Sequence, residues 1–549
     1  MKKTASPLFF KLAGGLFLFG LLFSVKVFSE SPVKFWVSFT DKHYSFFDPY
    51  SYFDERTILQ RQNQNIPIVD STDFPVSPQY LELLASTGAT LSWPSRWLNG
   101  VALFATNEQI LQIKSFAFVK EVEPMVFCAL PALKNSKKEK EAEMIPLLHY
   151  QTERMKAEVF RQHHMDGSGI RIAVLDAGFP GVDKNPVFKK LRDEKRIVAT
   201  YDFVSKKEFV FAHHWHGAAT LSCMAGIADS IPLGLATGAE YLLARTERIL
   251  WEPRAEEEYW LAAAEWADQH GANIISSSLG YTNGRYFTSD MDGRKSLVAR
   301  AANMAAKKGI LVVNAAGNEG QNEWHTIDTP ADADSVLTVG GTNPESDMHI
   351  YFSSFGPNSA GVLKPNVCAV GKAVIADAHK IKVAFGTSFS TPLVAGFAAC
   401  AWQSHRTWNN MELFKEMEKS GHLFPYFDYA HGYGIPQAPY FFDSNKTIDP
   451  TFDFVVANNE IKVVLREQFS YAETERSLGY AVRRNLYYKV ENQSGNMISY
   501  SVLLAENKEV LHFYAEDFHT GDVITVHFEG YTGTLDFPKI ELQDDSIQK

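Results

Sequence analysis

The chain has 549 residues, of which 45% are hydrophobic and 21% charged, a balance that suits about three globular domains with cores of their own. Its net charge is −11 and its one lysine-rich stretch is nearly balanced by glutamates, which excludes a general nucleic-acid-binding surface. Four cysteines, none in a Cys-x-x-Cys pair, are too few for a disulfide-stapled scaffold and lack zinc-ligand spacing.

Residues 1–29 open with Met1-Lys2-Lys3, continue as a short apolar run from Leu8 to Phe23, and read as a bacterial export signal too short for a comfortable membrane span. Residues 30–128 form the next unit. Lys34 to Phe39 alternates as a strand, 79–87 reads as a helix stopped by Gly88, and 98–104 as a turn and strand. A short helix follows at 107–115 and a last strand at 118–126. This predicts a small α+β unit. Residues 129–145 hold the charged run Lys134 to Glu143 and read as a solvated linker.

Residues 146–442 show apolar strands alternating with glycine-stopped helices. Ile170 to Leu175 reads as a strand, 262–270 as a helix before Gly271, Ile274-Ile275 as the start of a strand, 297–308 as a helix before Gly309, and 310–313 as a strand. Residues 443–549 are rich in β-type runs, with a hairpin turn at Ser494-Gly495-Asn496, and predict a small antiparallel sandwich.

Four motifs in the α/β unit carry chemistry. Asp176 ends the strand Ala173-Val174-Leu175, where open α/β sheets build their sites. His216-Gly217 opens a helix that reaches Ala225-Gly226. Ser388 lies in Gly386-Thr387-Ser388-Phe389-Ser390-Thr391-Pro392, a tight turn entering a helix. A serine hydroxyl needs a base to take its proton; His216 can do so, with Asp176 fixing its tautomer. Asn318, in Asn314-Ala315-Ala316-Gly317-Asn318, is the candidate amide donor for an oxyanion, with the Ser388 backbone N–H as its partner.

These motifs, in the order Asp, His, Ser, resemble those of the subtilase family of serine peptidases over roughly half of the chain. The resemblance implies a doubly wound, mostly parallel sheet with helices on both faces, and an acyl-enzyme mechanism for peptide hydrolysis. It also implies substrate binding at Ser278, Leu279 and Gly280, with Gly317 opposite. His431-Gly432-Tyr433-Gly434 resembles the closing segment of such a domain. Residues 30–128 resemble the inhibitory propeptides of exported bacterial subtilases. The histidine motif departs from the family pattern: Ala218-Ala219 follows Gly217, and Thr220 comes two residues late.

Among competing residues, His213 and His214 are expected on a loop, Asp183 in a polar turn, and Ser390 pointing away from Ser388. Asp290-Met291-Asp292-Gly293 starts like a calcium loop but lacks the later ligands, so a surface turn is expected. No cofactor and no metal are required. The partners expected are protein or peptide substrates and the chain's own propeptide, in an exported, monomeric protein. Buried thiols are expected for the cysteines, with one cross-link, Cys223 to Cys400, left open. The two competing functions are an inactive subtilase-like binding protein, which loss of a triad residue would mark, and an esterase, which Gly-x-Ser-x-Gly would mark. Neither mark is present.

Overall fold

A computed structural model describes residues 31–43, 45–125, 144–248, 255–282, 285–443, 448–457, 460–470, 476–477, 480–481 and 484–537. The expected signal, Cys128, and the linker up to residue 143 lie outside the described residues.

The N-terminal unit is a four-stranded antiparallel sheet of β1 (Val33–Phe39), β2 (Thr90–Ser95), β3 (Gly100–Ala105) and β4 (Val119–Pro124), in the order β2-β3-β1-β4. The sequence reading missed β2 and the helix Glu55–Asn63. Strand β2 carries Pro94, which an edge strand tolerates because it need not donate on its outer side.

The central sheet has seven parallel strands: β5 (Arg171–Asp176), β6 (Ile197–Asp202), β7 (Glu240–Arg245), β8 (Ile274–Ser277), β9 (Leu311–Ala315), β10 (Val336–Thr342) and β11 (Val367–Val370), in the order β11-β10-β9-β8-β5-β7-β6. Strand residues point alternately to opposite faces, and both faces are buried. Ile172 and Val174 pack with Leu393, Val394 and Phe397 of the helix Thr387–Ser404. Ala173 and Leu175 pack on the other side with Trp260 and Ala264 of the helix Ala255–Gln269 and Ala301 of the helix Leu297–Lys307. The first of these two helices begins seven residues before the expected 262. Its acidic first turn suits a helix N-terminus.

The same face also buries Trp36, Trp97 and Ala102 of the N-terminal unit, so the small sheet docks on the two helices. Charge pairs cross this junction. Lys34 Nζ lies 2.5 Å from Glu258 Oε1, Arg61 Nη2 2.9 Å from Asp268 Oδ2, and Arg96 Nη2 2.8 Å from the same Asp268 oxygen. All five side chains are buried.

At the C-terminal end, the strands Phe452–Ala457, Glu460–Leu465 and Glu509–Tyr514 form one antiparallel sheet. Asn485–Glu491, Met497–Leu504, Val523–Phe528 and Tyr531–Asp536 form a second. Ile461 and Val463 of the first share a core with Leu486, Ile524 and Val526 of the second, which makes the expected sandwich. It is tied to the α/β unit through Tyr426, whose hydroxyl donates to the Tyr488 carbonyl at 3.0 Å, and Asn485, whose Nδ2 donates to the Ser346 carbonyl at 2.8 Å. Cys223 and Cys400 are separate, fully buried thiols, which removes the cross-link left open by the sequence. Burial pushes the Cys223 thiol up to about 12. No described helix is long and apolar enough to cross a membrane.

Candidate active site at the carboxyl edge of the sheet

The chemistry-bearing residues are delivered by strand ends and helix starts on one edge of the parallel sheet. Asp176 is the last residue of β5 and is fully buried. His216 is the first residue of the helix His216–Ala225. Its Nδ1 lies 2.8 Å from Asp176 Oδ1 and 3.1 Å from Oδ2. An ionised carboxylate only accepts, so this contact places the proton on Nδ1 and leaves Nε2 with a free lone pair. Gly217 lets the helix start this close to the strand end, since a Cβ there would lie 2.3 Å from the Gly178 carbonyl.

The displaced threonine of the histidine motif has a place in this arrangement. Thr220 is one helical turn beyond His216, and its hydroxyl donates to Asp176 Oδ2 at 3.0 Å. The backbone N–H of Ala177 donates to Oδ1 at 2.7 Å. Asp176 is thus held by a hydroxyl and an amide while it faces the imidazole. Sequence reasoning noted Thr220 only as a departure; the i, i+4 spacing from His216 was the signal that could have assigned it.

Ser388 is the second residue of the helix Thr387–Ser404, after Gly386 at φ 144°. Phe389, next to it, stands 5.7 Å from the His216 ring, which brings the serine turn and the histidine helix together. Pro392 lacks an N–H and so leaves the carbonyl of Ser388, four residues earlier, without its helical donor. The Ser278 hydroxyl donates to that carbonyl at 2.8 Å. Ser388 Oγ in turn faces the Ser278 carbonyl at 3.5 Å. The proline of the motif therefore frees the acceptor that pins the serine turn to the end of β8.

Asn318 follows β9. Its Oδ1 accepts from the Thr387 backbone N–H at 3.0 Å and from the Thr387 hydroxyl at 3.2 Å. With the carbonyl end of the amide held there, Nδ2 is the donor end left to face a ligand. The Thr387 hydroxyl also donates to the Gly317 carbonyl at 3.1 Å. Of the three residues expected to bind substrate after β8, only Gly280 is exposed. Leu279 is buried, and its carbonyl accepts from Asn314 Nδ2 at 2.9 Å. Ser278 and Leu279 thus shape the site from within.

Of the competing residues, His214 stays beside the site, its Nδ1 accepting from the His216 backbone N–H at 3.3 Å, and the others lie elsewhere. His213 Nε2 is 3.4 Å from Asp202 and Asp183 is exposed in its turn. The Ser390 hydroxyl donates to the Val370 carbonyl at 3.0 Å. Asp292 caps its own turn, accepting from the N–H groups of Arg294 and Lys295 at 2.8 Å each. Among the described residues, no three His, Cys, Asp or Glu side chains gather as a metal site.

Residues 167–434 match the model of the subtilase family, and residues 34–143 match that of a peptidase propeptide domain of Bacteroidota. Alkaline elastase YaB of Bacillus sp. (strain YaB) is 25% identical over 293 residues, which are 53% of this chain and 69% of that protein. Subtilisin BL of Lederbergia lenta is 26% identical over 268 residues, 49% of this chain and 88% of that protein. Among solved structures, MycP1 from Mycobacterium smegmatis aligns at a TM-score of 0.43 and 20% identity, over 59% of this chain and 90% of its own.

Proposed function

This chain belongs to the subtilase family, and on that premise we propose that it is an exported serine endopeptidase with Asp176, His216 and Ser388 as its triad. The observation that carries the proposal is the Asp176–His216 pair, at 2.8 Å, set beside a serine at a helix N-terminus. In the proposed reaction His216 Nε2 takes the Ser388 Oγ proton as Oγ bonds to the scissile carbonyl carbon. The carbonyl oxygen becomes an oxyanion facing Asn318 Nδ2 and the Ser388 N–H. His216 then gives the proton to the leaving amine. Water, activated by the same imidazole, releases the acyl group from Ser388. A fluorophosphonate probe is the direct test: it labels wild-type enzyme at Ser388, and an unlabelled, folded wild-type protein overturns the reading.

The oxyanion role has its own test. Asn318→Ala lowers kcat by about 10²–10³ with little change in KM, because the bond is strongest to charge that develops in the transition state. A rise in KM at constant kcat would instead make Asn318 a ground-state binding residue.

The pH profile follows from the Asp–His pair. Burial by itself lowers the imidazole's affinity for a proton. The charge of Asp176 and its hydrogen bond outweigh that, and the pKa of His216 is raised above its ordinary 6.5. Only the neutral imidazole can accept the serine proton, so activity rises with pH through a midpoint above 6.5. A kcat/KM profile still flat well below pH 6.5 would assign the base to another group.

The N-terminal unit serves as the intramolecular inhibitor in this proposal. Met125, just past the end of β4, is buried in the hydrophobic cluster that also holds Leu279. In this proposal an extended segment after β4 occupies the cleft as a substrate would. The proposed maturation cut falls between Cys128 and Pro146, ahead of Leu147 and Leu148, which are buried in the α/β core.

A further inference from the structure

Asn318, the proposed oxyanion donor, lies on the loop 317–320 after β9, and the segment 352–354 clamps the backbone of that loop. The Ser354 N–H donates to the Gly317 carbonyl at 3.1 Å, and the Gly320 N–H donates to the Phe352 carbonyl at 2.8 Å. Between them, the Glu319 N–H donates to Ser354 Oγ at 3.1 Å. The two backbones run so close that a Cβ on Gly320 would come 2.3 Å from the Ser353 carbonyl. Ser353 is itself tied to the central sheet, its hydroxyl accepting from the Gly341 N–H of β10 at 3.0 Å.

Histidines outside the proposed triad hold this clamp. His349 Nε2 donates to the Ser353 carbonyl at 2.9 Å, since a carbonyl can only accept. The His349 backbone N–H donates to His431 Nε2 at 2.8 Å. His431 can accept there because its other ring nitrogen carries the proton: Nδ1 lies 3.0 and 3.1 Å from the two Asp428 oxygens. Asp428 also accepts from the backbone N–H groups of Ala430 and His431, at 2.9 and 2.7 Å. Both side chains are buried, and the Tyr487 ring of the C-terminal sandwich stands edge-on to His431 at 5.4 Å. A second route reaches the same loop. The His349 ring stacks on Phe355 at 4.1 Å, and His325 stacks on Phe355 at 4.5 Å while its Nδ1 donates to the Gly320 carbonyl at 2.9 Å.

We propose that His431, oriented by Asp428 beneath the C-terminal sandwich, is a positioning residue for the oxyanion step, acting through His349 and the segment 352–354 on the loop that carries Asn318. The inference rests on the peptidase reading given above and adds to it a role for the junction with the sandwich. An amide donor stabilises a developing oxyanion only from a preset position, because a loop that must reorganise during the reaction gives back what the bond gains. Misplacement by about 1 Å, caused far from the chemistry, can cost about 10²-fold in rate. Thr387 already fixes Asn318 Oδ1, so the freedom left to Nδ2 is that of its own backbone, and the clamp removes it. A buried imidazole with one nitrogen committed to a carboxylate and the other to a backbone N–H keeps one tautomer and one ring orientation, which makes it a rigid anchor.

The test is a double-mutant cycle read as kcat and KM of the processed enzyme, obtained from the full chain, on one peptide substrate. His431→Leu removes the acceptor of the His349 N–H and is expected to lower kcat by about 10–10²-fold with KM near wild type. His431→Gln, which keeps an oxygen acceptor within reach of that N–H, is expected to recover most of the loss. In an Asn318→Ala background, His431→Leu is expected to cost less than about 3-fold more, because the donor it positions is already gone. His325→Ala, at an exposed position, breaks the Gly320 contact and is expected to lower kcat by about 3–10-fold, again with little effect beside Asn318→Ala. It decides the matter if His431→Leu does not fold. Wild-type kcat in folded His431→Leu, or in His325→Ala where His431→Leu does not fold, overturns the positioning role and leaves the peptidase reading in place. So does full multiplication of the histidine and Asn318 effects. Absence of hydrolysis by the wild type, with Ser388 unlabelled by fluorophosphonate, overturns both.

Discussion

Replacing Ser388 with alanine is expected to lower kcat for peptide hydrolysis by on the order of 10⁶-fold, since triad members act as one unit. The contacts that shape the serine turn are made by backbone atoms or neighbours. Asn318 Oδ1 holds the Thr387 N–H, and the Ser278 hydroxyl holds the Ser388 carbonyl. None of these depends on Oγ, so the variant keeps its fold. Without a nucleophile the chain also cannot cut itself, and it is expected to accumulate as the precursor with residues 30–128 attached when no other protease is present. N-terminal sequencing and mass measurement check this. A Ser388→Ala protein that hydrolyses peptides at near wild-type rates removes Ser388 from the mechanism. One that is inactive yet still loses its N-terminal unit in a protease-free preparation shows that maturation is carried out by another site.

The second large effect belongs to the buried charges between the N-terminal unit and the helix Ala255–Gln269. Asp268 accepts from Arg61 and Arg96, and the Thr57 hydroxyl donates to its backbone carbonyl at 2.7 Å. Asp268→Ala leaves two buried guanidinium groups short of a counter-charge. Removing one member of such a buried network costs about 3–5 kcal/mol. The loss falls on the junction, because both arginines come from the N-terminal unit. At about 1.4 kcal/mol per factor of ten, the cleaved unit is expected to dissociate about 10²–10⁴-fold more readily. Asp268 is far in the fold from Ser388, on the helices behind the sheet, so kcat of the freed enzyme stays near wild type. Gel filtration after processing reads the first effect and steady-state kinetics the second. If the variant complex survives gel filtration like the wild type, apolar packing by Trp36, Trp97 and Ala102 holds the unit and the charges are incidental.

Asp176, His216 and Ser388, the residues of the proposed triad, were legible because each lies in a local motif. A buried aliphatic run followed by Asp176 must end at the carboxyl edge of a parallel sheet. Gly217 and Gly386 stand where the backbone approaches too closely, or turns too sharply, for a side chain. The helix Leu297–Lys307 and strand β9 were likewise read within a residue or two, from their apolar pattern and their glycine stop. The edge strand β2 was missed because Ser92, Pro94 and Ser95 break the strand pattern. Its reason for being a strand is the helix it packs on, where Ser92 and Ser95 both donate to buried glutamates.

By itself, then, the sequence determined the layered α/β architecture, the small sheet before it and the sandwich after it. Each of these follows from hydrogen-bonding periodicity and steric rules that act over a few residues. Only the tertiary structure decided what Thr220 does and how Lys34, Arg61 and Arg96 are neutralised. Lys34 is 224 residues from Glu258. A charge whose partner lies that far along the chain has no period and no motif. Its role is set by burial, which makes an ion costly until the fold brings a counter-ion to it.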